Sequence, residues 1–269
     1  MQKILIIYNS GAGSTKTIAQ IYHQTLLGKY RVDILQATLS FDYKLISNYD
    51  LLIFGFPCYH CDVSNLMSEF IDNMPALSEK KKAFVFLTYG LYAGNTLRIF
   101  IKKCRKKNIY AGDYADYRAP ATDGTLLLPS IKLMYTYEKK IVSNILKDIE
   151  KIKKILSADT PKYKLPPFKL YTLLNYPNAA LGKKINHRIK VRKDACINCN
   201  LCVKQCPRGC WISGSSYPVF DKSKCDSCYK CIHQCPQEAL ILSEKTITKK
   251  KLNTRFYKEW KDKILLAIK

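Results

Sequence analysis

The chain has 269 residues, enough for two domains of ordinary size, and 47% of them are hydrophobic, so a core can form without special staples. Its formal net charge is +24, from 45 Lys and Arg against 21 Asp and Glu, and it holds twelve cysteines. Eight of these fall within forty residues in two identical spacings, which excludes a dispersed disulfide framework and predicts metal-held thiolates in a reducing, cytoplasmic setting.

In chain order, the apolar runs Ile4–Tyr8, Val32–Leu35, Leu51–Phe56, Ala83–Thr88 and the weaker Ile109–Tyr117 predict five strands. Four of them are continuous rather than alternating, as strands of a parallel sheet covered on both faces must be. Helical stripes lie between them. Ile18, Tyr22 and Leu26 recur at four-residue spacing before Gly28, Leu97, Ile101 and Cys104 begin another stripe, and Ile141, Ile145, Ile149, Ile152 and Leu156 form the longest. Strand–helix alternation with right-handed crossovers predicts an α/β domain over residues 1–156, a five-stranded doubly wound parallel sheet. Residues 157–193 carry four prolines and read as a basic linker, with Phe168, Leu170, Tyr171, Leu173 and Leu174 expected to pack part of it down. Residues 194–245 form a small cysteine module, and residues 246–269 a basic amphipathic helix with Phe256, Trp260, Ile264 and Ile268 on one face. That stripe either docks on the chain itself or serves as an interfacial or partner helix. No run approaches the ~20 apolar residues of a membrane span, leaving peripheral contact as the one open membrane reading. The apolar run after Met1 is too short for a signal peptide.

Each cysteine run reads C-x2-C-x2-C-x3-C-P: Cys196, Cys199, Cys202, Cys206–Pro207, then Cys225, Cys228, Cys231, Cys235–Pro236. Three thiolates two residues apart can wrap three irons of one cube, while the fourth points at the other cube. The expected sets are therefore Cys196, Cys199, Cys202 and Cys235 for one [4Fe–4S] cluster, and Cys225, Cys228, Cys231 and Cys206 for the other. Zinc is the alternative, but it calls for four ligands, commonly as paired C-x2-C, without the C-x3-C-P ending. The module resembles bacterial two-cluster ferredoxins, an α+β fold, including the Cys-Pro-Gln-Glu-Ala-Leu ending of its second repeat. It departs from them at Asn200, where a glycine is common, and at Cys210–Trp211 after Pro207.

Three loops leave the carboxyl ends of predicted strands, where open α/β sheets bind ligands. Tyr8-Asn9-Ser10-Gly11-Ala12-Gly13-Ser14-Thr15 opens a helix and can offer backbone N–H groups to an anion. Gly55-Phe56-Pro57-Cys58-Tyr59 and Thr88-Tyr89-Gly90-Leu91-Tyr92-Ala93-Gly94 follow the third and fourth strands. In order and spacing residues 1–156 resemble flavodoxins, and most of the chain resembles the flavodoxin–ferredoxin fusion proteins of anaerobes. The resemblance implies FMN, with Ser10, Gly11, Ala12, Gly13, Ser14 and Thr15 at its phosphate. Pro57, Cys58, Tyr59, His60, Thr88, Tyr89, Gly90, Tyr92 and Gly94 are then expected around the ring, Tyr59 and Tyr92 as aromatic walls. The run Pro57–Val63 contains no glycine, so a positive φ within it costs on the order of 1 kcal/mol. Cys58 and Cys61 are read as loop residues without chemistry of their own.

These features predict an electron-transfer iron–sulfur flavoprotein exchanging electrons with an external, acidic redox protein of ferredoxin or flavodoxin type. The alternative is a flavin-dependent reductase of a small organic substrate. No catalytic acid or base stands out beyond His60, Tyr59 and Tyr92. Nucleic-acid binding is disfavoured because the basic residues come without a recognition motif. Residues 157–193 and 246–269 carry 17 basic and 3 acidic side chains, flanking a nearly neutral module, which is the basis for the acidic partner.

Overall fold

The computed structural model describes residues 1–174, 189–242 and 251–268. Five parallel strands, β1 (Lys3–Tyr8), β2 (Arg31–Gln36), β3 (Leu51–Tyr59), β5 (Lys81–Tyr89) and β6 (Ile109–Arg118), lie in the order β2-β1-β3-β5-β6. This is the doubly wound, flavodoxin-like topology, with its switch point between β1 and β3. The strand β4 (Asp62–Val63) adds an antiparallel turn to the end of β3, pairing Cys58 with Val63 and Tyr59 with Asp62.

The sheet is covered on both faces because successive side chains of a strand point to opposite sides. Ile4, Ile6 and Tyr8 face one core with α1 (Ser14–Leu26) and α5 (Ile141–Ser157); Leu5 and Ile7 face the other with α2 (Asn65–Asn73) and α3 (Thr96–Lys106). Each such buried side chain contributes about 1.5–3 kcal/mol of transfer free energy.

Residues His60 and Cys61 have φ of 53° and 60°. The glycine-free run therefore carries the cost of positive φ at two positions, and the hairpin is what imposes it. A two-residue connection between β3 and β4 requires positive φ at both positions to match the twist of the strands. The β4 pairing holds them there.

After α5 the chain runs along the edge of β6. Lys164 N donates to Ala111 O at 2.8 Å, and Arg98 Nη1 donates to Pro166 O at 2.6 Å. This segment is held by these bonds and by Leu165 and Pro166, whereas Phe168, Leu170 and Tyr171 are exposed. Leu173 and Leu174 close the short helix α6 (Tyr171–Leu174). The rest of the expected linker up to Arg188, and the start of the tail, lie outside the described residues.

The cysteine module has α7 (Leu201–Gln205) and α8 (Lys230–Gln234), and two antiparallel pairs: β7 (Lys190–Val191) with β10 (Leu240–Ile241), and β8 (Trp211–Ile212) with β9 (Val219–Phe220). Its internal repeat is preserved in the backbone. Positive φ occurs at Asn198, Asn200 and Gly209 in the first repeat and at the equivalent Ser227, Tyr229 and Glu238 in the second. Between α3 and the module, α4 (Gly124–Leu127) follows β6.

The last helix, α9 (Thr254–Ile268), returns to the first domain and packs against α1 and α5. Ile264 is buried in the same core as Ile145 and Ile149, and Trp260 stacks edge-on against Tyr137 at 5.2 Å. Its apolar face is covered by its own chain, which favours the docked reading over the interfacial one. Among the described residues no helix is long and apolar enough to cross a membrane.

Candidate functional site

The loop after β1 is anchored before it turns into α1. Asn9 N donates to Gly55 O at 2.8 Å, Asn9 Nδ2 donates to Ser64 Oγ at 2.8 Å, and Thr15 and Thr88 share a hydroxyl hydrogen bond of 2.7 Å. The loops after β1, β3 and β5 meet there around a cleft, which a segment after β6 and Ser227 of the second repeat also line. Of the expected flavin residues, Ser10, Gly11, Ala12, Ser14, Thr15, Pro57, Cys58, Tyr59, His60, Thr88, Tyr89 and Gly90 line this cleft. Gly13 lines a neighbouring cleft, Gly94 packs against Cys61 and Thr172, and Tyr92 is 59% exposed.

The cleft has features suited to a phosphorylated ligand. Ser10 Oγ is buried with no partner among the described residues, so a hydrogen-bond acceptor or donor from a ligand would satisfy it. Gly11 allows a close approach that no other residue would: a Cβ there would overlap the Tyr59 hydroxyl and come within 2.9 Å of Cys228 Cβ. At Gly90 a Cβ would come 2.7 Å from that of Ala121. These close backbone approaches, with the unpartnered Ser10 hydroxyl, suit the site to a flavin. Burial raises the Tyr59 phenol well above its usual pKa, with Cys228 and Asp226 adding to the effect, and so keeps its proton in place. Burial also pushes the Cys58 thiol up to about 12 and raises Cys61, so neither is poised as a thiolate nucleophile.

The eight repeat cysteines border two adjoining cavities. The first is lined by Cys196, Cys199, Cys202 and Cys235, the second by Cys206, Cys225, Cys228 and Cys231. Cys202 also reaches the second and Cys231 the first, so the two spaces share a wall. Each set combines three cysteines of one repeat with the last cysteine of the other, and its all-thiol donor chemistry fits an iron–sulfur cluster. Among the described residues no three His, Cys, Asp or Glu side chains converge on a single-ion position. Backbone donors face the thiols with the same symmetry as the repeat. Cys210 N donates to Cys206 Sγ and Ala239 N to Cys235 Sγ, both at 3.3 Å, and Ser227 N donates to Cys225 Sγ at 3.3 Å. Such bonds, with the apolar wall of Trp211, Tyr229, Ile232 and Leu240, are the protein's means of tuning a cluster. The cavities differ in access: Cys199 and Ile197 beside the first are exposed, whereas the second abuts the first domain through Cys228 and Gly11.

Polar groups fix the module on the first domain. Arg208 reaches both Glu69 oxygens at 2.7 Å, and Asp226 Oδ2 accepts from Leu66 N at 3.2 Å, at the start of α2. His233, buried and pushed down by that burial to about 4, is neutral; its Nε2 lies 3.0 Å from Thr122 O, and its Nδ1 accepts from Leu252 N at 3.3 Å. On the far side, Tyr257 of α9 rests on Gly13 and shares a 3.0 Å hydrogen bond with Ser14 Oγ. Sequence reasoning missed the Ala119–Asp123 segment, Ser227 and Tyr257. The first was open to the strand-end argument, since Ala119-Pro120-Ala121-Thr122-Asp123 follows the fifth strand; the other two carry no local signal.

Two family models described as 4Fe-4S binding domain match residues 193–209 and 218–241. The C-terminal part carries 4Fe-4S binding domains. No curated protein sequence matches the chain. Solved structures similar to it include the Streptococcus pneumonia TIGR4 flavodoxin, 18% identical, covering 56% of this chain and 98% of that one with a TM-score of 0.44. A flavodoxin from the domain Archaea is 15% identical, over 57% of this chain and 99% of that one, with a TM-score of 0.43. A flavone reductase is 10% identical, over 61% and 66%, with a TM-score of 0.45. The chain thus joins a sheet of flavodoxin-like topology to 4Fe-4S binding domains.

Proposed function

We propose that the protein passes electrons between an external redox protein and FMN through two [4Fe–4S] clusters. The observation that carries this reading is the close approach of Cys228 to Gly11, which sets a cysteine of the second set, through its Cβ and carbonyl oxygen, against the loop of the flavin cleft. The order along the path is then the exposed set with Cys199, the inner set with Cys228, and the flavin. When bound, FMN would supply two-electron exchange and each cluster one-electron exchange. Ser10 to Thr15 would hold the phosphate, and Pro57 to His60 with Thr88 to Gly90 would flank the ring. The Arg208–Glu69 and Asp226–Leu66 contacts hold the two redox sites at a fixed separation. The outside partner is an acidic ferredoxin- or flavodoxin-type protein, steered by the basic excess of the chain. Anaerobic preparation followed by iron, sulfide and flavin analysis tests the assignment: about eight irons, eight sulfides and one FMN per chain are expected. Bound zinc, or FAD in place of FMN, would show the corresponding assignment to be wrong. Reduction trials with an acidic ferredoxin, NADH and NADPH, each alone, distinguish a carrier from a reductase.

A further inference from the structure

The loop after β1 has two sides. The flavin cleft lies on one; on the other is a larger cleft of about 390 Å³, between α1, the two module helices and α9. Lys16 of α1, Lys230 of α8, and Lys258 and Lys261 of α9 line it, and its described lining includes no carboxylate. Among the described residues none of these four lysines forms an ion pair. Four ammonium groups from three elements around one space repel one another, and an anion with more than one negative charge offsets that repulsion. A bare phosphate would leave most of this volume unfilled. The remaining wall is rich in amides, which both donate and accept hydrogen bonds as the edge of a base or sugar requires. Gln205 is one of these residues; its Oε1 is buried and without a partner among the described residues, and the same side chain borders both cysteine cavities.

We infer that this cleft binds a nucleotide with two or more phosphates, its phosphates on the lysines and its nucleoside against the glutamine-lined wall. The ligand would touch the flavin loop, the cluster module and α9 at once, and so clamp the three together. One bland account of the lysines is that they offset the negative charge of the inner cluster. That accounts for Lys230, next to Cys231, but not for Lys258 and Lys261 on another element. The cleft meets the flavin-phosphate loop from its other side and is lined by Ser10, Gly11, Ala12 and Gly13 of that loop; the inference goes beyond the electron-transfer reading: iron, sulfide and flavin content test the one, nucleotide binding the other.

The test is calorimetric titration of the flavin- and cluster-loaded protein with ADP, AMP and inorganic pyrophosphate. ADP should bind with one-to-one stoichiometry, and AMP and pyrophosphate each about tenfold more weakly or worse. Lys261→Gln and Lys16→Gln should each weaken ADP by about tenfold, the loss of a charge-assisted contact, with flavin and iron content unchanged. If Lys16→Gln disturbs the flavin loop, Lys261→Gln alone carries the test. Absence of ADP binding overturns the inference, as does binding indifferent to Lys261→Gln. Binding seen only in flavin-free protein and displaced by FMN would assign the anion to the flavin site, and equal affinity for pyrophosphate and ADP would remove the nucleoside contact; either overturns it.

Discussion

Arg208 of the first cysteine repeat grips Glu69 of α2 with two parallel contacts of 2.7 Å, and its Nε lies 3.4 Å from Asp226 of the second repeat. One guanidinium therefore bridges both repeats to the first domain. The three partners differ in exposure: the side chains are 12% exposed for Arg208, 4% for Asp226 and 41% for Glu69. Removing Arg208 leaves Asp226 buried without its cationic partner, the Leu66 N–H still donating to it, an effect of about 3 kcal/mol. Removing Glu69 releases a half-exposed partner and costs about 1 kcal/mol or less. Chemical denaturation of the loaded protein should rank Arg208→Ala far below Glu69→Ala; equal losses would show that the pair with Asp226 contributes nothing.

The thiol sets cross between the repeats, so damage should cross with them. Cys206→Ser is expected to impair the cluster held by Cys225, Cys228 and Cys231, and Cys235→Ser the one held by Cys196, Cys199 and Cys202. Electron paramagnetic resonance of the reduced variants reads this directly. Loss confined to the cluster of the sequence neighbours would reverse the assignment.

Ser10 and Gly11 make separable predictions. Ser10→Ala removes one buried hydroxyl and should weaken FMN about tenfold, the worth of a hydrogen bond to a charged group, while iron content stays intact. Gly11→Ala forces a methyl group into Tyr59 and Cys228. It should lower both flavin and iron occupancy. Flavin fluorescence titration with parallel iron assay distinguishes the two patterns, and an unchanged Gly11→Ala would contradict the close approach.

Electron transfer from an acidic ferredoxin should slow as salt rises, because steering of this kind weakens as ions screen it. Reversing Lys258, exposed on α9, should flatten that dependence. Lys249 and Lys250, equally basic in the sequence, lie outside the described residues. Lys251 is a poor choice for reversal, since it bonds Ile232 O at 3.2 Å and sits 3.6 Å from Glu238. A rate that ignores both salt and Lys258→Glu would remove electrostatic docking as the mode of encounter.

Much of this architecture was legible in the residues. The five strands declared themselves because both faces of a covered parallel sheet need continuous apolar runs, as in Ile4–Ile7 and Phe84–Leu87. The spacing of the cysteines leads to the two expected thiol sets, since a short peptide can present ligands to a cube in few ways. The β3–β4 hairpin was hidden because His60 and Cys61 occupy positions normally marked by glycine or asparagine. The site's outer wall was hidden for a different reason. Ser14 and Tyr257 are 243 residues apart, and nothing local to either announces their hydrogen bond. The apolar Phe168 and Leu170 misled because that segment is held through its backbone, leaving those side chains exposed.

The return of α9 to the first domain makes the cysteine module an insertion rather than an appendage. Ile264 belongs to the core that β1, α1 and α5 begin, so that core is not completed until residues 254–268 have left the ribosome. By then the eight thiols have already emerged. Closure of that core therefore depends on chain that lies beyond the cysteine module, and the module is held between two parts of one domain.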